Sequence, residues 1–110
     1  MKKNFDVLLS DEAKTFLKSL DLKVQKKIAY NIQKSREVND PRILKKLNEE
    51  IWEFRTRYQN LQIRLLAFWD PKIKSLIICS HGFIKKSQKV PKGELEKAMK
   101  IKNEYLKHRS

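Results

Sequence analysis

Residues 49–84, "EEIWEFRTRYQNLQIRLLAFWDPKIKSLIICSHGFI", decide the fold. They contain three runs rich in β-branched and aromatic residues, broken at Gln59-Asn60 and at Asp70-Pro71-Lys72. Runs of that composition separated by turn formers read as consecutive strands. Asp favours the first position of a type I turn and proline pre-sets the second, so Asp70-Pro71 makes a tight corner. The three strands are therefore expected to form an antiparallel meander.

On the N-terminal side, "NFDVLLS" at residues 4–10 reads as a short strand ending at Ser10, which can cap a helix that carries Asp11 and Glu12 in its first turn. Ala13, Phe16, Leu17 and Leu20 then recur at helical spacing. A second helix follows, with Asp21 as its cap and Val24, Ile28, Ile32 and Ser35 as its inner stripe. The turn "NDPR" at residues 39–42 closes this helix pair. On the C-terminal side, residues 91–109 place Leu95, Ala98, Met99, Tyr105 and Leu106 on one face of a last helix. The order is β-α-α-β-β-β-α, which predicts an α+β domain over residues 1–110, with the two N-terminal helices packed on a small antiparallel sheet.

A chain of 110 residues has room for one core and no second domain. With 40% hydrophobic residues it buries enough to fold, so its many charges describe a surface. Those charges are lopsided: 26 Lys+Arg against 13 Asp+Glu give a net charge of +13. That excess exceeds what solubility requires and predicts an acidic partner, nucleic acid foremost, then an acidic protein, then an anionic membrane surface. The apolar run Val7-Leu8-Leu9 is too short for a secretory leader, and no run reaches membrane-spanning length, so a cytoplasmic protein is expected.

Several chemistries find no support in the composition. Cys79, His81 and His108 are the only Cys and His residues, and no two stand at a recognised metal-ligand spacing. Cys79 lies in an apolar run and reads as a buried, inert thiol. Ser80 adjoins His81, but neighbours on a strand point to opposite faces. Gly82 and Gly93 are the only glycines, so no phosphate-cradling loop is available, and neither a metal nor an organic cofactor is expected.

What remains is cationic. The period of two places Glu53, Arg55 and Arg57 on one face of their strand, with Trp52, Phe54 and Tyr58 nearer the other. Arg64 interrupts an apolar strand, which leaves two readings open: a salt bridge to Glu49, Glu50, Glu53 or Asp70, or a fork for a phosphate. Beyond the last strand, "KKSQKVPK" supplies Lys85, Lys86, Lys89 and Lys92 with no acid before Glu94. A strand leaving the sheet at Phe83-Ile84 would bring Lys85 and Lys86 beside the strand of Arg55 and Arg57, where an anion between them would relieve the repulsion.

The segments "WEFR" (52–55), "RLLAFWD" (64–70) and "HGFIKKSQKVPKGELEKA" (81–98) together resemble the HigB-type branch of the RelE/ParE toxin superfamily, including its phage-derived members. The resemblance spans nearly the whole chain in the right order and implies a RelE-like fold. It also implies a type II toxin that enters the ribosomal A site and cleaves mRNA, restrained by a cognate helix-turn-helix, HigA-like antitoxin. Position by position, it points to Arg55, Arg64, Lys85, Lys86 and Lys89. The resulting expectation assigns catalysis to Arg55, Arg64, Lys86, Lys89 and His81, and RNA binding to Arg57, Tyr58, Lys85 and Lys92. Ile63 and Ala67 replace aromatic residues common in relatives, which leaves Tyr58 as the stacking candidate.

Cleavage by such a site would use the neighbouring 2′-OH as nucleophile and leave a 2′,3′-cyclic phosphate and a 5′-OH, with no metal needed. The general base stays open among His81, Glu53 and a lysine depressed by its cationic neighbours. Two competing readings share the scaffold: a ParE-like toxin that poisons DNA gyrase, and a non-catalytic RNA-binding module.

Overall fold

A computed structural model describes residues 4–109, without the side chain of residue 109; residues 1–3 and 110, the ends of the domain expected over 1–110, lie outside the described residues. The chain runs β1 (Asp6–Leu9), α1 (Asp11–Lys18), α2 (Leu22–Ser35), β2 (Leu44–Lys46), β3 (Trp52–Tyr58), β4 (Leu61–Trp69), β5 (Leu76–Ile84) and α3 (Lys92–Arg109). Among the described residues the strands form one five-stranded sheet in the order β1-β5-β4-β3-β2.

The α+β class and the β3-β4-β5 meander match the sequence expectation, while the sheet corrects it in three respects. It is mixed, because β1 lies parallel to β5, Leu8 facing Ile78 and Leu9 facing Cys79. Ser10 fixes that pairing: its N–H donates to the Cys79 carbonyl at 3.1 Å and its hydroxyl to the Ser80 carbonyl at 2.6 Å. Second, the three-residue β2 forms an edge beside β3, too short to show any alternation in the sequence. Third, the helices lie on both faces of the sheet.

β4 explains the two faces, because adjacent strand residues point opposite ways. Ile63, Leu65 and Ala67 pack under Ala13 of α1 and Val24 and Ile28 of α2. Leu66 and Phe68 pack with Ile51, Ile78 and Ala98 of α3. Each fully buried aliphatic or aromatic side chain contributes on the order of 1.5–3 kcal/mol, so both layers matter to stability. α1 is capped as expected, Ser10 Oγ accepting from the Ala13 N–H at 3.0 Å, whereas Asp21 begins α2 without a side-chain bond. The corner after β4 is held by Asp70, whose Oδ1 accepts from the N–H groups of Lys72 (2.7 Å) and Ile73 (2.8 Å).

Two local features of β5 set up the site. Gly82 lets α1 approach, since a Cβ there would overlap the Phe16 ring and come within 2.7 Å of Leu65 Cδ2. Between Cys79, opposite Ala67, and His81, opposite Leu66, the strand holds one extra residue, Ser80. This β-bulge resets the alternation. Strict alternation from Ile77 and Cys79 would send His81, Phe83 and Lys85 under α1 and α2. With the bulge, His81 and Phe83 share the face of Leu66 and Arg64 instead.

Candidate functional site

The β3–β4 register sets Arg55 directly opposite Arg64, and Arg57 opposite Gln62. On the other side of Arg64 stands Phe83 of β5. α3 covers the Leu66–Phe68 end of this face and leaves the Gln62–Arg64 end open. There the chain beyond β5 folds over, its first bond being the Lys85 N–H to the Gln62 carbonyl at 2.7 Å. The result is a cleft of about 520 Å³ lined by Arg55, Gln62, Arg64, Lys85, Lys86, Ser87 and Gln88. Among the described residues no carboxylate lines it.

Beneath the lining lies a charge triad whose Glu53 and Arg64 are buried. Glu53 is 2% exposed and Arg64 3%. One carboxylate oxygen of Glu53 lies 3.5 Å from Arg55 Nε and the other 3.5 Å from Arg64 Nε. Of the four partners open to Arg64 in the sequence, the fold selects Glu53. The outer nitrogens of Arg64 donate to the Ile63 carbonyl and to Gln62 Oε1, both at 3.0 Å. Glu53 Oε2 and Arg64 Nε have no hydrogen-bond partner among the described residues, so the pair is held by charge across a gap. Two guanidiniums on one carboxylate leave the triad with a net positive charge facing the cleft.

That field acts on its neighbours. Burial pushes the Arg64 pKa down, Glu53 offsets part of the effect, and Arg55 adds to it. The half-buried Lys85 is lowered by desolvation first and then by Arg64, with Arg55 and Lys45 reinforcing and Glu53 opposing. Lys85 is thus a lysine that gives up its proton more readily than an exposed one.

The other sequence candidates sit elsewhere. His81 is 2% exposed, its Nε2 3.0 Å from Glu94 Oε1 and its Nδ1 3.1 Å from Ser80 Oγ. The bulge therefore brings together Ser80 and His81, which regular alternation would separate. Ser80 is fully buried with its hydroxyl also on the Leu66 carbonyl, so this Ser–His–Glu chain offers no accessible nucleophile and ties α3 to β5. Cys79 is equally closed, burial pushing its thiol up to about 12. Lys89 is exposed outside the cleft lining, and its carbonyl accepts from Ser87 Oγ at 2.9 Å. Lys92 borders a separate concavity on α3 with Leu95 and Met99. Tyr58 packs, partly buried, against the cluster under α1 and α2, on the opposite face from Arg55. His108 borders another hollow with Phe68 and Tyr105. Gln62, Ser87 and Gln88 were not among the sequence candidates. Gln62 was within reach, standing two residues before Arg64 on the same strand and hence on the same face.

His81 carries a pH consequence. Its pKa is lowered chiefly by burial, with Lys97 adding to that and Glu94 and Glu12 opposing. A depressed folded-state pKa means the unfolded chain binds the proton more readily. The stability is therefore present above the unfolded value of about 6.5 and is lost as pH falls through the lower folded value. The melting temperature is expected to fall from pH 7 toward pH 5, with a contribution of at most about 1.4 kcal/mol per pH unit from this group. Melting curves of His81→Gln over the same range should be flatter, and an unchanged slope would remove His81 from the account.

Among the described residues no group of three or more His, Cys, Asp or Glu side chains is placed to hold a metal ion, and no helix is long and apolar enough to cross a membrane. The fold and cleft together define a small, strongly basic α+β protein with RelE-like architecture. The family profile described as phage-derived protein Gp49-like (DUF891) matches residues 15–103, and the chain belongs to that family, which is one of the RelE/HigB-like toxin families. Ribonuclease activity is common in this toxin family, and such a toxin implies an antitoxin partner. No curated protein matches the chain.

Proposed function

We propose that this chain is the toxin of a type II toxin–antitoxin pair and acts as an endoribonuclease on mRNA in the ribosomal A site. The observation that carries the reading is the cross-strand pair Arg55–Arg64 in a cleft closed by Lys85 and Lys86, with no carboxylate in the lining among the described residues. Such an array suits a phosphodiester whose negative charge grows in the transition state.

In the proposed reaction the neutral amine of Lys85 takes the proton of the 2′-OH. The 2′ oxygen forms a bond to phosphorus, and the bond from phosphorus to the 5′ oxygen breaks. The 5′ oxygen leaves with a proton from Lys86 or water, giving a 2′,3′-cyclic phosphate and a 5′-OH. Arg55 and Arg64 hold the non-bridging oxygens throughout. Access to the cleft favours Lys85 as base over His81 and Glu53, both of which are buried and engaged. No step requires a metal or a cofactor. Lys89 and Lys92 raise the positive potential around the mouth. Ribosomes put the site of action in the cytoplasm, and the cognate antitoxin would be a helix-turn-helix, HigA-like protein.

Primer extension on transcripts after induction tests the reading. Cuts should fall inside translated frames and vanish when the start codon is removed. Growth arrest with intact transcripts would sink it, and gyrase-dependent DNA breaks in their place would assign the chain to the ParE-like mode.

A further inference from the structure

β2 begins with Leu44 opposite Phe54, so from Arg55 onward the outer edge of β3 has no strand beside it among the described residues; Arg55 still donates its N–H to the Ile43 carbonyl at 2.7 Å. α2 leans over this open edge, Asn31 Nδ2 reaching Thr56 Oγ1 at 3.2 Å and the Arg55 carbonyl at 3.4 Å. Between helix and edge lies a second cleft of about 570 Å³. Lys27, Asn31, Arg42, Thr56 and Arg57 line it, and it meets the first cleft at Arg55, Gln62 and Arg64.

The charge in this second cleft is also one-sided. Arg42 is engaged by Asp40 at 2.9 Å, while the Lys27 ammonium rests 5.3 Å from the centre of the Tyr30 ring. Arg57 is exposed and has no ion-pair partner among the described residues. Residues two apart on a strand stand about 6.7 Å apart on one face, so Arg55 and Arg57 offer two cations in a row. Among the described residues no carboxylate lines either cleft.

We propose that the two clefts form one track for a single RNA strand, in which the second cleft receives the phosphates flanking the one gripped by Arg55 and Arg64, with Lys27 and Arg57 as the contacts. The assignment rests on the reading of the first cleft as the cleavage site. A single strand fits because it can bend into two adjoining hollows. A duplex, stiff over this length, would span their mouths and enter neither.

The test measures anisotropy of labelled 2′-O-methyl oligouridylates on the intact protein across a salt series, which reads binding with cleavage chemically blocked. Each phosphate contact with a single strand contributes about 0.7 to the slope of log K against log salt. For Lys27→Ala/Arg57→Ala the slope for an octanucleotide should therefore fall by about 1.4, while dinucleotide binding stays as in the parent. Both side chains are exposed, so the variant keeps its fold. An unchanged octanucleotide slope would overturn the track. Equal losses for both lengths would too, by placing Lys27 and Arg57 on the central phosphate. Loss of binding to an acidic antitoxin segment, with the RNA slope intact, would give the second cleft to the protein partner and overturn it as well. The expected slope change in a chain that cuts no mRNA would uphold the track and defeat the nuclease reading alone.

Discussion

Lys85→Arg is expected to lower single-turnover RNA cleavage by about 10²–10⁴-fold, the usual worth of a general base, while RNA affinity stays close to that of the parent protein. Arginine preserves the charge and much of the reach of Lys85 but cannot be deprotonated near neutral pH. The substitution therefore separates a phosphate contact from a proton acceptor. The pH profile gives the second readout. While Lys85 is mostly protonated, the rate should rise tenfold per pH unit, and it should level off once the amine is neutral. Because desolvation and Arg64 lower the Lys85 pKa, the plateau arrives at lower pH than for an exposed lysine. Lys85→Arg should show a low, flat profile. A rising limb that persists in Lys85→Arg and disappears in His81→Gln would transfer the base to His81.

The second large effect is on stability. Glu53→Leu should cost about 3–5 kcal/mol in urea unfolding, because it strands the buried Arg64 guanidinium without its counter-charge. Arg64→Met should be costly for the converse reason, moderated by Arg55, which still faces the carboxylate. The double variant Glu53→Leu/Arg64→Met replaces the pair with apolar side chains of similar size and should recover most of the loss, or exceed the parent by about 1–4 kcal/mol. Cleavage should be lost in every variant that lacks Arg64, including the stable one. That combination would identify Arg64 as a residue kept at the expense of the fold. A Glu53→Leu protein of parental stability would show instead that the triad is not coupled.

The row Glu53, Arg55, Arg57 was legible in the sequence because β3 keeps a regular period of two. The partner of Arg64 was not, since four carboxylates were eligible and only the register of β3 on β4 separates them. Parallel β1 escaped for a similar reason: a four-residue strand says nothing of its direction until Ser10 reaches Cys79 and Ser80. The loop lysines looked equivalent by charge, yet Lys85 and Lys86 line the cleft while Lys89 and Lys92 do not. The closeness of Lys85 and Lys86 to the end of β5 was the one sign of that division in the sequence. Tyr58 lies on the face the period of two gave it, away from Arg55 and packed against the cluster under α1 and α2, so the stacking role expected of it has no place in the cleft.

The extra residue in β5 gives the strand slack, and that has a genetic consequence. Loss of the Ser80 codon would cost the hydroxyl its bonds to Leu66 and His81. It would not alter facing, since His81 can remain opposite Leu66 and Phe83 opposite Arg64 in a regular ladder. A second lost codon before Lys85 would find no slack to take up and would turn that lysine toward the core. The register of this strand thus has room for one step of shortening, and the cleft depends on its not taking two.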